Sequence, residues 1–307
     1  MSIEAAQRKL NSVRAELVEA CPELAEAAHS PFDKLRANGL GLINKVLRSI
    51  FLTALLLATA ANADSLSATQ IMERSDIAAK VADATSEMTM TLANSAGDQR
   101  VRKLVMMTKL KPNEIDNMRV LRFLSPADIR GTVTLLIEKS GQDDDMWIYL
   151  PALKKVRRLV SDNKRDSFVG SDMTFGDIIG HKPSDWNHTL IRPDTLDGKP
   201  VYVIESIPKD AQVKSRTGYS KRLSWIDQQN FVSLKTDYWD DVGKPLKSIH
   251  VSDVREADVS KKKWQFMHVE AANQQSGHKT VLHFDSYRAN QGIAEDTFTS
   301  RYLEKDQ

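Results

Sequence analysis

This 307-residue chain predicts a mainly β protein with accessory helices, its strands forming a curved antiparallel sheet or barrel. Three observations carry that prediction. Beyond Glu87 apolar residues fall at every second position, the period of a half-buried strand. Turn signals separate these runs at roughly regular intervals, as in sandwiches and barrels rather than βαβ units. One long stretch alone, Ser65–Ala84, keeps helical spacing, with Ile71, Met72, Ile77, Ala78 and Val81 on one face and Ser67 or Thr69 placed to cap it.

The strands follow in order. Met88, Met90 and Leu92 alternate with Glu87, Thr89 and Thr91, and the turn Asn94–Asp98 leads into a second run through Val101, Val105 and Met107. Residues 117–124 and 132–138 flank a loop or single helical turn at 125–131. Residues 145–150 and 156–160 pair across Pro151. A short lid helix is expected at Asp172–Ile179, capped by Ser171 or Asp172. Seven further strands are expected at 186–192, 200–206, 220–226, 231–238, 244–254, 263–273 and 279–287, with turns at Asp197-Gly198, Asp227–Asn230 and Gly243–Pro245. Asp296–Leu303 reads as a closing helix.

The start of the chain reads as a targeting segment. Lys45 and Arg48 precede the apolar run Ile50–Ala61, and Ala61-Asn62-Ala63 is a small-x-small cleavage site. The run is short for a span of about 30 Å of hydrocarbon. Residues 42–63 are therefore expected to be a cleavable signal peptide, with the product released to the periplasm. Asp64, where a lipid anchor requires cysteine, predicts an unanchored product. Residues 1–41 resemble a translated intergenic repeat of proteobacterial genomes, which implies a spurious leader and a true start near Leu42. The competing reading is an amphipathic helix over Ile3–Ala28.

Residues 64–307 are then expected to form one domain of 244 residues, long enough for its own core. The whole chain has 43 Lys/Arg and 41 Asp/Glu; residues 1–63 hold seven and six of these, so the remainder is near +1. That balance argues against nucleic acid as a partner. The sole cysteine, Cys21, lies in the removed part, which excludes disulfides, a thiolate nucleophile and cysteine-based metal sites from the remainder.

No serine elbow, phosphate loop or dinucleotide fingerprint is present. Six histidines remain after residue 63, and none stands in a catalytic context. His278 and His283, five apart around a strand, point to opposite faces and do not share a metal. Asp143-Asp144-Asp145 lacks the rest of a calcium loop and reads as a solvated turn. No enzyme activity, cofactor or metal is expected, and a monomer is expected. The densest basic run, Lys154, Lys155, Arg157 and Arg158, continued by Lys164 and Arg165, reads either as a docking surface for an acidic partner or anionic headgroup, or as a solubilising strand face.

Trp147 and Tyr149 alternate with Met146, Ile148 and Leu150, so both faces of this strand are apolar. One face then meets a core and the other a covering helix or a ligand. Met88, Met90, Met106, Phe123, Phe168, Met173 and Phe175 enrich the neighbouring segments. Methionine-rich walls adapt to variable apolar ligands, and plain core packing explains the same residues.

The segments Leu124–Gly131, Asp145–Arg158 and Phe168–Ile178 resemble the outer-membrane lipoprotein-sorting-like family, the LolA-like branch of the LolA/LolB superfold. The resemblance spans most of residues 66–305. It implies an incomplete antiparallel barrel of about eleven strands, with helices lidding its concave face. It also implies acyl chains of lipids or lipoproteins as cargo, transient membrane contact, and an inner-membrane exporter of the resistance-nodulation-division type as a partner of several relatives. The cavity residues expected on this basis are Met88, Met90, Met106, Phe123, Trp147, Tyr149, Phe168, Met173 and Phe175. Arg130, Arg157 and Arg158 are the positions expected to take the ligand-contacting arginine's part. The alternative to a carrier is a non-carrying accessory or sensor subunit of an exporter or stress pathway.

Overall fold

A computed structural model describes residues 66–305; the expected leader, signal peptide and cleavage site lie outside the described residues. Helix α1 (Ala68–Ala78) starts at Ser67, whose hydroxyl accepts from the Gln70 N–H while the Gln70 side chain accepts from the Ser67 N–H. These two bonds satisfy amide donors that a helix start leaves open. The helix stops six residues short of Ala84. Asp83 opens strand β1 (Asp83–Ala93), and its carboxylate accepts from the Gln291 and Gly292 amides. Ladder pairing on both sides of β1 outweighs the helical spacing there.

Twelve more strands follow: β2 (Gln99–Leu110), β3 (Asn117–Ser125), β4 (Val133–Ile137), β5 (Asp145–Leu150), β6 (Lys155–Leu159), β7 (Trp186–Leu196), β8 (Lys199–Pro208), β9 (Tyr219–Asp227), β10 (Ser233–Asp240), β11 (Pro245–Asp258), β12 (Lys263–Asn273) and β13 (Lys279–Ala289). The turn between β1 and β2 is built by Asn94, whose side-chain oxygen accepts from the Ala96 and Asp98 amides, and by Gly97 at φ +91°. All thirteen strands join one antiparallel sheet in the order β6-β5-β4-β3-β2-β1-β13-β12-β11-β10-β9-β8-β7. The sheet is an open, barrel-like α+β arrangement with thirteen strands rather than about eleven.

That order fixes where the remaining elements go. Because β1 pairs with β13, the two edges of the sheet are β6 and β7, which are consecutive in sequence. The connection 160–185 must carry the chain from one edge to the other. It crosses the face that Met88, Leu104, Leu121, Phe123, Leu136 and Met146 present, and it buries Phe168, Met173, Phe175 and Ile179 against them. Helix α2 (Phe175–Ile179) lies on this crossover. It is shorter than expected and is capped by Thr174, not by Ser171 or Asp172. Thr174 and Asp177 exchange reciprocal bonds at its start. Asp172 is already committed to the sheet, where its carboxylate accepts from the Thr280 hydroxyl at 2.7 Å.

Helix α3 (Ala211–Thr217) was not expected from apolar spacing. Its signal is local: Asp210 caps Val213, and Gly218 ends the helix at φ +75°. The expected closing helix is instead two 3-10 segments, Glu295–Phe298 and Ser300–Glu304, separated by an extended Thr299. They place Phe298, Tyr302 and Leu303 on the outer face of β3–β5, against Val120, Val133 and Leu135.

Candidate functional site: a methionine-lined hollow closed by the crossover

The inner face of the sheet, α1 and the crossover enclose a cavity of about 350 Å³. That is within the usual size range for a ligand pocket of about 300–1,000 Å³. Of the residues expected in a cavity, Met88, Met90, Met106, Phe168 and Met173 line this one. Phe123 and Phe175 are buried one layer behind, Phe123 tilted against Phe168 at a ring separation of 6.2 Å and Phe175 edge-to-face with it at 5.2 Å. Trp147 and Tyr149 do not reach the hollow. Successive residues of a strand face opposite sides, so Met146 points in and its neighbour points out. Both aromatics pack in the outer cluster under the C-terminal segments. The covering element that a two-faced β5 requires is therefore the chain's own terminus.

The other half of the wall comes from the late strands: Val251, Phe266, Val269, Leu282 and Phe284. Their alternation on β11–β13 was visible in sequence, but nothing local showed that these strands join β1 edge to edge.

A buried polar cluster fastens the crossover. The Lys247 ammonium donates to the Asp172 carbonyl at 2.8 Å and to the Asp177 carboxylate at 2.5 Å. Tyr219 donates its hydroxyl to Asp177, and the His181 Nε2 lies 3.1 Å from the same carboxylate. Burial alone would raise the Asp177 pKa, but Lys247 and His181 more than offset it and hold the carboxylate far below its ordinary range. Burial, helped by the nearby Arg222 guanidinium, lowers the His181 pKa to about 4, in spite of Asp177. His181 is thus neutral at pH 7, and its Nε2–H serves as a donor to Asp177.

A second ionic group forms a wall between this cavity and an outer cleft of about 480 Å³. Asp76, Glu138 and Gly180 line both spaces. Lys80 donates to Asp76 at 2.9 Å, to Glu138 at 2.8 Å and to the Ile115 carbonyl at 2.7 Å. Arg119 bridges Glu138 and the Ile179 carbonyl, so the same group holds the end of α2. Burial lifts the Asp76 carboxyl above its ordinary range despite Lys80.

The basic run divides in the structure. Lys154, Lys155, Arg157 and Arg158 are exposed on the β5–β6 turn and on edge strand β6. Arg158 pairs with Asp145 at 2.7 Å. Lys164 does not continue the exposed run, because it is buried against Asp144. Arg165 reaches Asp241 instead. Asp143–Asp145 is likewise no solvated turn. Asp144 is buried between Lys164 and Lys182, Asp145 pairs with Lys139 and Arg158, and Asp143 with Arg216. Arg130 is exposed on the β3–β4 loop, away from the cavity lining. Among the described residues, no three metal-ligating side chains cluster, and no helix is long and apolar enough to cross a membrane.

A family model described as that of an uncharacterized protein matches residues 116–305. A solved outer membrane lipoprotein-sorting protein domain from Vibrio parahaemolyticus is 27% identical, with a TM-score of 0.71 over 78% of this chain and 98% of that one. The chain belongs to the LolA-like, outer-membrane lipoprotein-sorting-like family. A DUF1329 family protein from Desulfovibrio piger is 26% identical, with a TM-score of 0.70 over 77% of this chain and 97% of that one. A LolA superfamily protein from Nitrosomonas europaea, 20% identical with a TM-score of 0.59 over 78% of this chain and all of that one, shares the LolA-like fold. No curated protein matches the chain.

Proposed function

We propose that this LolA-like chain is a periplasmic carrier that shields the acyl chains of a lipid or lipoprotein during transit toward the outer membrane. The observation that carries the reading is the methionine-lined hollow on the concave face of an open sheet. Supporting it are the signal-like segment before Asp64 and the likeness to a lipoprotein-sorting domain.

The mechanism is burial, with no bond made or broken. Each methylene removed from water stabilises the complex by about 0.8 kcal/mol, so one chain binds firmly yet reversibly. Methionine side chains adjust to chains of different length and unsaturation. Loading displaces the crossover, because its buried Phe168 and Met173 wall the hollow and a longer chain needs their space. The two ionic groups, around Asp177 and around Glu138, return the crossover to one closed position.

Fluorescent fatty-acid uptake tests the reading. Saturable uptake that is lost in Met106→Trp, with folding unchanged, supports it. Absence of uptake by the wild-type chain refutes it.

A further inference from the structure

The surface at one end of the sheet combines features that neither the core nor the cavity uses. Strand β6 is an edge strand, and the turn before it runs Pro151–Leu153 to Lys154, which sits in the left-handed region at φ +46°. Leu153 is 63% exposed at the tip of this turn. The β3–β4 loop lies against it: a side chain at Gly131 would stand 3.6 Å from Pro151. That loop carries exposed Arg130, and Leu124 just before it is 45% exposed. Among the described residues, Lys154, Lys155, Arg157 and Arg130 have no carboxylate partner.

We propose that this end, formed by Leu124, Arg130, Leu153, Lys154, Lys155 and Arg157, docks the protein on an anionic phospholipid bilayer. Edge protection is the competing explanation, since charged residues keep edge strands from pairing with other chains. It accounts for Lys155 and Arg157 on β6. It does not account for Arg130 on a separate loop, nor for two leucines held in water among the cations. Cations on long aliphatic stems around protruding apolar residues suit a diffuse layer of anionic headgroups above hydrocarbon. A folded acidic partner would instead call for a packed apolar centre, and the two leucines form none. The rest of the chain does not supply the charge, because residues 64–307 are near +1 overall. Docking orients the protein on the bilayer and does not depend on what the hollow carries.

The test is co-sedimentation of the purified chain with vesicles of phosphatidylcholine, with and without phosphatidylglycerol. Each cation near an anionic surface strengthens binding about fivefold. The triple variant Lys154→Glu/Lys155→Glu/Arg157→Glu should therefore lose at least about tenfold in partitioning onto phosphatidylglycerol vesicles. Wild-type binding should weaken as salt rises, and Leu153→Ser should weaken it further at fixed salt. The control Lys261→Glu/Lys262→Glu, on the β11–β12 turn at the other end of the sheet, should bind as wild type. Should the triple variant melt early, Lys154→Gln/Lys155→Gln gives the same reading with less charge change. Equal binding to both kinds of vesicle, or equal loss in the control, overturns the proposal. Fatty-acid uptake from solution, measured in parallel, separates this surface from the carrier reading: loss of uptake with vesicle docking intact removes the carrier and leaves the surface.

Discussion

Replacing Lys247 by methionine tests whether the crossover is held by its buried ion pair. The Lys247 and Asp177 side chains are 2% and 3% exposed, so removing the ammonium leaves a carboxylate with no water to receive its charge. Asp177 keeps the Thr174 amide, the Tyr219 hydroxyl and His181 as donors, which offset part of the loss. Breaking a buried pair by deleting one partner typically destabilises by about 3–5 kcal/mol. With those donors retained, the lower end, about 3 kcal/mol, is expected for Lys247→Met. Urea unfolding followed by tryptophan fluorescence reads this as a fall in midpoint at constant slope. The double variant Lys247→Met/Asp177→Asn should recover at least about 1 kcal/mol, because the unpaired charge is gone. The same loosening should speed fatty-acid uptake. A cost below about 1 kcal/mol for Lys247→Met, or no recovery in the double variant, would refute the latch.

Other consequences follow from the same geometry. Burial lowers the His181 pKa from the ordinary imidazole value of 6.5 to about 4, so the unfolded chain takes a proton that the native chain refuses. Its contribution is fully present above pH 6.5, is lost as pH falls from there to 4, and amounts to about 3 kcal/mol; His181→Gln should flatten the stability profile over that window in chemical unfolding, and an unchanged slope would contradict the assignment. Met106→Trp should fill the hollow and abolish uptake while shifting the melting temperature by only a few degrees. Trp147→Ala should destabilise by about 2 kcal/mol through the outer cluster yet leave uptake unchanged, and loss of uptake would return Trp147 to the cavity wall.

The parts legible in sequence were those governed by local periodicity. Alternation located the strands, and of the two cap candidates, Ser67 and Thr69, Ser67 caps α1. The ends of helices were read less well, because the competitors act at long range. Asp83 leaves the helical pattern to accept from the Gln291 and Gly292 amides just after β13, more than two hundred positions away. Asp172 is taken by Thr280 and so cannot cap α2. The apolar methionine-bearing faces of β1 and β2 were readable from alternation, but alternation does not separate a cavity wall from packed core, and β2 sends Met106 inward and Met107 to the outer cluster. Trp147 and Tyr149 were misassigned because β5 is apolar on both faces, and composition cannot say which face a terminus covers. The buried cluster of Asp177, His181, Lys247 and Tyr219 was illegible, since its members come from three separate segments, the crossover, β9 and β11, and none has a motif.

The central claim is that the hollow holds apolar chains. Organic extraction of the purified protein, followed by mass spectrometry, tests it most directly. The account predicts acyl lipid in the wild-type extract and its loss in Met106→Trp. A lipid-free wild-type extract from protein that also takes up no fatty acid would contradict it.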